Sequence, residues 1–559
     1  MNVSIRIDGR EPTGATALRG RLYHDGGVPG DLDALCAGWD GLDGWAAELR
    51  RTNGFFALAH RRGAEVFAAV DRVRSIPLFW GTAGDEAYLS DDAHWVAGRL
   101  GAGEGHEPAA TEFLLAGFVT GNDTLVPGVR QLAAGDVLRL APGPGGMAAE
   151  VRRWWAYGGA GDPSVRREEL EARFDAMMER IVGRLAEVAG GRPIVVPLSG
   201  GNDSRLLLTM LKRLKYPSLI AFTYGRPENH EAVVSRRVAE MLGVPWHFVP
   251  YDNASWRRWF QSEERGAYYR MADGLSSLPL LQDWPAVGEL RRRGIAPEGS
   301  VFAPGLSADL QAGSRSKRYP QVYRPGVTPR DELVRLLLRS GFGLWDWTRR
   351  EDELYPVLAA RVLDGLGDYA RFDDGGRAME AWDSRERVSK YIVNSVRAYE
   401  FWGYDWWIPF WDAEWLDFWA DVPVDMRMDV AFYRGCVERI FGEVTGVPAR
   451  GRPATARHGW VGPMVKRLVL TTPLYPLVRS AYGLVRAYAE YDRHFMAWYG
   501  MVPRDVFLRT RGWNSAASFL TAERMGRLDL SGGSRARSAP VVGRGPAGPR
   551  GSGRAEPVA

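Results

Sequence analysis

Two rhythms of apolar residues divide the chain. Up to about residue 157 the apolar positions come in short runs. Val3, Ile5 and Ile7 alternate with polar neighbours, the period of a half-buried strand. Segments 55–59, 65–70, 77–80 and 87–90 are short apolar runs parted by Gly63, Asp71 and Gly84, and 136–140 and 153–157 read as further strands. Closely spaced strands with turn residues between them predict antiparallel sheets. Residues 142–146 form a turn, and 158–163 read as a linker. Beyond it the rhythm lengthens. Leu170, Phe174, Met177, Ile181 and Leu185 share one face of a helix over 165–189. An apolar run at 193–198 is followed by Leu206, Leu207, Met210, Leu211 and Leu214 at helical spacing. Strands are predicted at 218–224, 246–249 and 300–304, and helices at 231–242 and 280–293. Strand alternating with helix predicts a parallel sheet. The expected fold class is therefore multidomain α/β: an N-terminal antiparallel β-sandwich over 1–157 and a C-terminal parallel-sheet α/β unit with a helical extension over 164–525. The Gly, Arg, Ser and Pro-rich tail, 530–559, has too little to bury and is expected to be disordered.

Composition narrows the function classes. A length of 559 residues exceeds one ordinary domain. The contents of 45% hydrophobic and 25% charged residues are those of a soluble globular protein. A formal net charge of +4 is small for this length, so no nucleic-acid partner is implied. The two cysteines, Cys36 and Cys436, form no C-x-x-C, which argues against a disulfide framework or a cysteine zinc site and fits the cytoplasm. No signal peptide is evident, and no apolar run approaches the roughly 20 residues of a membrane span, so no membrane partner is expected. The most lipid-like stretch, 468–488, is broken by Pro473, Pro476, Arg479 and Arg486 and reads as a packed helix pair. There is no H-E-x-x-H or G-x-S-x-G, and the eight histidines show no paired spacing.

The most informative stretch is Ser199-Gly200-Gly201-Asn202-Asp203-Ser204, set between an apolar run and an amphipathic helix. Glycines let backbone N–H groups approach an anion, and a helix N-terminus favours negative charge. Ser199 and Ser204 add hydroxyls, and Asp203 adds a carboxylate suited to a magnesium ion beside phosphates. This loop is neither G-x-x-x-x-G-K nor G-x-G-x-x-G. Pro197 is awkward in a central strand because it donates no ladder bond, yet it lies near the strand end, where a ligand crevice opens in such sheets.

S-G-G-x-D-S resembles the pyrophosphate loop of ATP pyrophosphatases, which cleave ATP to AMP and pyrophosphate. A second stretch, Gly305-Leu-Ser-Ala-Asp309-Leu-Gln-Ala-Gly313, is similar to the G-E-G-A-D-E-x-x-G signature of asparagine synthetases. The resemblance is to the asparagine synthetase superfamily, which includes β-lactam synthetases and lasso-peptide cyclases. It implies ATP and Mg²⁺ as cofactors. Asp203 and Asp309 fall on the two magnesium aspartates and would be the catalytic and metal-binding pair. Pro197, Ser199, Gly200, Gly201, Asn202, Asp203, Ser204, Tyr224, Pro304 and Gly305 fall on nucleotide-contacting positions, with Tyr224 holding adenine through its backbone. Glu231 falls on a family acidic position, and helix-terminus charge explains it equally well. Leu306 and Leu310 replace acidic family residues, so the acceptor half of the reaction looks altered. Residues 403–412 resemble G-x-E-x-R-V-P-F-L-D, with Asp405 for the glutamate and Trp407 for the arginine; the surrounding tryptophans read chiefly as core. The family lysine that neutralises pyrophosphate has no clear counterpart; Arg450 and Arg452 lie in its neighbourhood.

The N-terminal region looks like the glutamine-amidotransferase domain of the same family, through Asn53-Gly-Phe-Phe-Ala57, residues 71–80, Tyr88-Leu-Ser90 and residues 124–135. The family nucleophile is a cysteine after the initiator methionine; here Asn2 stands there, and an amide cannot do thiolate chemistry. Arg74 replaces a family glycine. Cys36 reads as a small buried residue. The sandwich fold without glutaminase activity is expected. The chain as a whole reads as an AMP-forming amide ligase that joins a small-molecule carboxylate to ammonia or an amine. The other reading is a non-catalytic descendant that binds nucleotide or a partner. tRNA modification by the same loop type is disfavoured by the N-terminal domain and the weak charge. A homodimer is left open.

Overall fold

The computed structural model describes residues 2–159, 161–227, 229–368, 371–447, 490–509 and 515–530. Arg450, Arg452, the 468–488 stretch and the tail beyond 530 lie outside the described residues.

The N-terminal region holds two sheets. One has the order β1-β6-β5-β7, from β1 (Asn2–Arg6), β5 (Phe79–Ala83), β6 (Glu86–Ser90) and β7 (Arg130–Gln131). The other has the order β2-β3-β4-β8-β9, from β2 (Thr16–His24), β3 (Thr52–Arg62), β4 (Glu65–Val70), β8 (Asp136–Gly143) and β9 (Gly146–Arg153). Their inner faces share one core: Val3, Ile5, Leu78 and Leu89 meet Ala57, Ala59, Val66, Val70, Leu138 and Leu140. The outer face of the five-stranded sheet is covered too, because Phe56, Leu58, Phe67 and Val137 pack against Trp45 and Leu49 of the helix Gly41–Leu49. Burial on both faces explains why β3 and β4 read as continuous apolar runs.

Two expectations need correcting. The first sheet is mixed, since β1 lies parallel to β6 and only the remaining pairs are antiparallel. The last strand runs over Gly146–Arg153, earlier than the predicted 153–157, because a tight turn at Pro144 and Gly145 sends the chain straight back along β8.

The second unit carries a parallel sheet of order β12-β11-β10-β13-β14. Its strands are β10 (Ile194–Pro197), β11 (Leu219–Gly225), β12 (Trp246–Pro250), β13 (Val301–Phe302) and β14 (Asp405–Trp406). Helices Asn202–Arg213 and His230–Leu242 form the crossovers on one side of β10, and Trp284–Arg292 precedes β13 on the other. The order therefore reverses at β10, which makes its C-terminal end a topological switch point. Pro197 fits because its missing N–H lies on the β13 side. There Ala303 N donates to Val195 O at 2.9 Å, and β13 has already ended.

The two units are packed together. Tyr23, Phe55 and Phe113 join the same core as the parallel sheet. Asn53 Nδ2 donates to Asp412 Oδ1 (3.0 Å), Arg385 pairs with Asp136 (2.9 Å), and the buried Lys390 donates to the carbonyls of Val119 (3.1 Å) and Gly121 (2.6 Å).

Candidate functional site at the switch point

The apolar residues Ile194, Val195, Val196 and Leu198 are buried, and the chain then turns through Ser199, Gly200 and Gly201 into a helix beginning at Asn202. Ser199 N donates to Ser204 Oγ (3.1 Å), Gly201 N donates to Ser199 Oγ (3.1 Å), and the two hydroxyls lie 3.3 Å apart. The serines thus set the curve of the loop. Gly201, the N-cap, has extended backbone and makes no side-chain cap bond, so the first amides of the helix are left for another acceptor. The first turn of helix His230–Leu242 backs the loop: a Cβ on Gly200 would lie 3.6 Å from Glu231 Cα. Burial raises the Glu231 carboxyl above its usual range.

The second signature leaves β13 beside the loop, since Ile194 pairs with Val301 and Val195 with Phe302. A Cβ on Gly305 would sit 2.6 Å from Ser204 N and 2.8 Å from Asp203 C. Only glycine permits so close an approach of backbone to backbone. That contact brings Asp309 to Asp203. Burial pushes the Asp203 carboxyl well above its normal value, and the Asp309 charge pushes it further; Tyr433 and the backbone amides of Asp309 and Ala308 oppose this. Burial also raises Asp309, against the opposing charges of Lys317 and Arg315. Tyr433 Oη donates to Asp203 Oδ1 at 2.9 Å, from the helix Ala431–Thr445.

Two half-buried acids bear on one another's charge here, and a divalent cation fits that donor set. Among the described residues no group of three or more His, Cys, Asp or Glu is gathered as a metal site. A two-carboxylate site of the kind magnesium uses alongside phosphate and water is consistent with that.

Tyr224 lies on the edge of β11 that faces β10: Leu198 N donates to Phe222 O at 2.8 Å, and Tyr224 is the next residue on that edge, past the end of β10. Its backbone therefore borders the crevice, and its hydroxyl donates to Asp283 Oδ1 (2.5 Å), which shares its carboxylate with Tyr399 (2.6 Å). Pro304 is buried directly before Gly305. The switch point thus brings Pro197, the 199–204 loop, Tyr224, Pro304 and Gly305 to one end of the sheet, with Asp309 following.

Sequence reasoning missed Tyr433, Lys317 and Arg315. Tyr433 lies 230 positions from Asp203, in a helix whose aromatic pattern reads as core. Arg315 is held by Asp383, with Nε to Oδ2 at 2.8 Å, while Lys317 is exposed. Leu306 packs on the main core, and its carbonyl accepts from Trp411 Nε1 (2.8 Å). Leu310 is buried. Neither supplies an acid or base. Asp405 is exposed and paired with Arg192, and Trp407 is packed edge-on to Phe55 at 4.5 Å. Asn2 begins β1 with its amide donating to Asp85 O (2.8 Å). Burial holds both thiols, Cys36 and Cys436, up to about 12, so neither is a thiolate nucleophile at neutral pH. No described helix is long and apolar enough to cross a membrane.

No curated protein matches the chain. Among solved structures, glutamine phosphoribosylpyrophosphate amidotransferase from B. subtilis, complexed with ADP and GMP, matches at 12% identity and a TM-score of 0.17. The match covers 53% of this chain and 63% of that one, less than two thirds of its length, and the likeness is too slight to bear on fold or function. The family model for asparagine synthase matches residues 180–258, the stretch that runs from the second half of helix Arg167–Ala189 through the glycine loop and β12 into helix Asn253–Phe260. That match makes the stretch that carries Asp203 similar to asparagine synthase.

Proposed function

We propose that the protein is a cytoplasmic, ATP-dependent amide ligase that forms AMP and pyrophosphate. The observation that carries this reading is the Asp203–Asp309 pair, two half-buried acids whose charges act on one another beside a glycine loop at a switch point. A substrate carboxylate oxygen attacks the α-phosphorus of ATP; the bond to the bridging oxygen breaks, and pyrophosphate leaves. Ammonia or an amine then attacks the acyl carbon, AMP leaves with the bonding electrons, and the nitrogen gives up a proton to water.

The chain's own residues bind and orient. The uncapped amides at the start of helix Asn202–Arg213 face the phosphates, and Ser199 and Ser204 hold the loop in the shape that presents them. The Tyr224 backbone edge borders the place for the adenine. Asp203 and Asp309 would hold Mg²⁺, which when bound offsets negative charge on the triphosphate. Tyr433 fixes the Asp203 rotamer through its hydrogen bond. Lys317 and Arg315 lend positive charge on the Asp309 side.

The N-terminal sandwich is, in this reading, a glutamine-amidotransferase-like domain that has lost its nucleophile, so ammonia or amine is taken from solution. Leu306 and Leu310, both apolar, favour one alternative: a degenerate homologue that binds nucleotide without turning it over.

The test is pyrophosphate release from Mg-ATP across a panel of carboxylates with ammonia or amines, beside Asp203→Asn. Release with one pair and its loss in the variant are expected. Release indifferent to Asp203 overturns the assigned roles. ATP binding without release from any pair establishes the degenerate reading. Glutamine hydrolysis by the pure protein overturns the loss of glutaminase.

A further inference from the structure

A second polar cavity, of about 480 Å³, opens along the seam between the N-terminal sandwich and the second unit. No residue of the glycine loop or the 305–309 turn lines it. Its volume suits a small metabolite. Helices Glu263–Ala272 and Arg397–Phe401 form one wall, and the loops after β1, β4 and β6 form the other.

The acids of the wall are already matched. Asp91 pairs with Arg19 (2.7 Å), Glu400 with Arg19 (2.9 Å) and Arg397 (2.7 Å), and Asp273 with His94 (2.7 Å) and Arg524 (3.3 Å). Asp8 and Asp92 stand at the rim, with side chains 69% and 48% exposed. Arg74 differs. It is 3% exposed, and its hydrogen bonds go to neutral oxygens: Leu132 O (2.8 Å) and Gln131 Oε1 (2.7 Å). Burial, and then the neighbouring Arg397 guanidinium, push it down to about 9. Arg397 is itself 3% exposed and leaves Nε without a partner, and Ser277, also on the wall, leaves Oγ without one.

The backbone adds a further cost. Arg74 has φ of +52°, a left-handed conformation that favours glycine, and that L side chains adopt at a penalty of about 1–2 kcal/mol. A strained backbone, a desolvated guanidinium with no carboxylate hydrogen-bonded to it, though Glu386 and Asp71 lend some opposite charge, and a second guanidinium beside it are three unfavourable features at one position. An anion between the two arginines would offset two of them.

We propose that this cavity binds a small, singly charged carboxylate, its oxygens held by Arg74 and Arg397. Guanidinium groups hold carboxylates in a planar fork, which a lysine does not. Asp273 and Glu400 on the same wall disfavour a dianion such as phosphate. The site stands apart from the glycine loop, so it does not depend on the ligase reading.

The experiment is a thermal-shift titration of the full chain with acetate, glycine, L-glutamate and inorganic phosphate. The variants are Arg74→Gly, which accepts the left-handed backbone freely, and Asp203→Asn, which alters the other site. At least one carboxylate is expected to raise the wild-type Tm by about 2–4 °C at saturation. Asp203→Asn should keep that rise. Arg74→Gly should lose it while melting, unliganded, no lower than wild type. Four results would overturn the proposal: no wild-type shift with any carboxylate, a shift with phosphate alone, a shift that survives Arg74→Gly, or a lower unliganded Tm in Arg74→Gly, which would make Arg74 a structural residue.

Discussion

Asp71 of the N-terminal sandwich and Asp203 of the parallel-sheet unit invite comparison, for burial drives both toward protonation. Their neighbours differ in kind. Asp71 accepts from the amides of Phe56 (2.9 Å) and Val73 (2.8 Å) and from the Ser75 hydroxyl (2.5 Å), so its own turn and the adjoining strand saturate it. Asp203 takes a hydroxyl from a distant helix and the amides of Ala308 and Asp309, and it also meets the charge of a second acid, Asp309. The first arrangement fixes a turn. The second keeps a mutual repulsion that folding alone does not relieve, and such groups mark sites where a cation or substrate completes the structure.

Exchanging either acid for its amide should break the comparison in opposite ways. Asp203→Asn is expected to lower pyrophosphate release by about 10³-fold while the protein stays folded; assays on protein of unchanged circular dichroism check this. Asp71→Asn turns an acceptor into a donor facing amide hydrogens. It should cost about 2–4 kcal/mol of stability, read by urea denaturation, and leave activity per folded molecule unchanged.

Gly305→Ala tests the contact that joins the two signatures. A methyl 2.6 Å from Ser204 N must displace backbone. A loss of about 1–3 kcal/mol is expected, with a fall in release steeper than the loss of folded protein explains. Tyr433→Phe removes one hydrogen bond to Asp203, for an expected fall of about tenfold in kcat and little change in Tm.

The smallest effect concerns pH. The Asp203 carboxyl is raised above its unfolded value of 3.8, so without metal the folded state holds its proton more tightly. Stability from that proton is present below pH 3.8 and is lost as pH rises through the folded value. Metal-free Asp203→Asn should therefore be more stable than wild type at neutral pH, and the gap should close in acid. Tm series in EDTA and in magnesium check it.

Much of the crevice was legible in the sequence because its parts are local. Ser199, Gly200 and Gly201 turn the chain, and Asp203 follows within one helical turn. The pairing of the two signatures was legible only through the resemblance, since the neighbour relation of β10 and β13 is a matter of topology. Tyr433 was hidden because its role depends on long-range packing, whereas Lys317 follows closely after Asp309 and was passed over because it lies beyond the signature. Strand β2 was missed because Arg19 and Arg21 fall among its apolar residues and its outer face is partly exposed. The mixed character of the first sheet was missed because apolar runs carry no strand direction. Arg74 was read only as the loss of a glycine; its place on a cavity wall needed the docking of the two units.

The most direct test of the Asp203–Asp309 pair is equilibrium binding of ATP, measured by calorimetry with and without magnesium, to wild type and to the Asp203→Asn, Asp309→Asn double variant. The two acids acting through a shared cation predict that magnesium tightens ATP binding to wild type by at least about tenfold, roughly 1.4 kcal/mol, and leaves the variant indifferent. Equal affinity with and without magnesium in wild type, or an undiminished magnesium effect in the variant, would contradict the account.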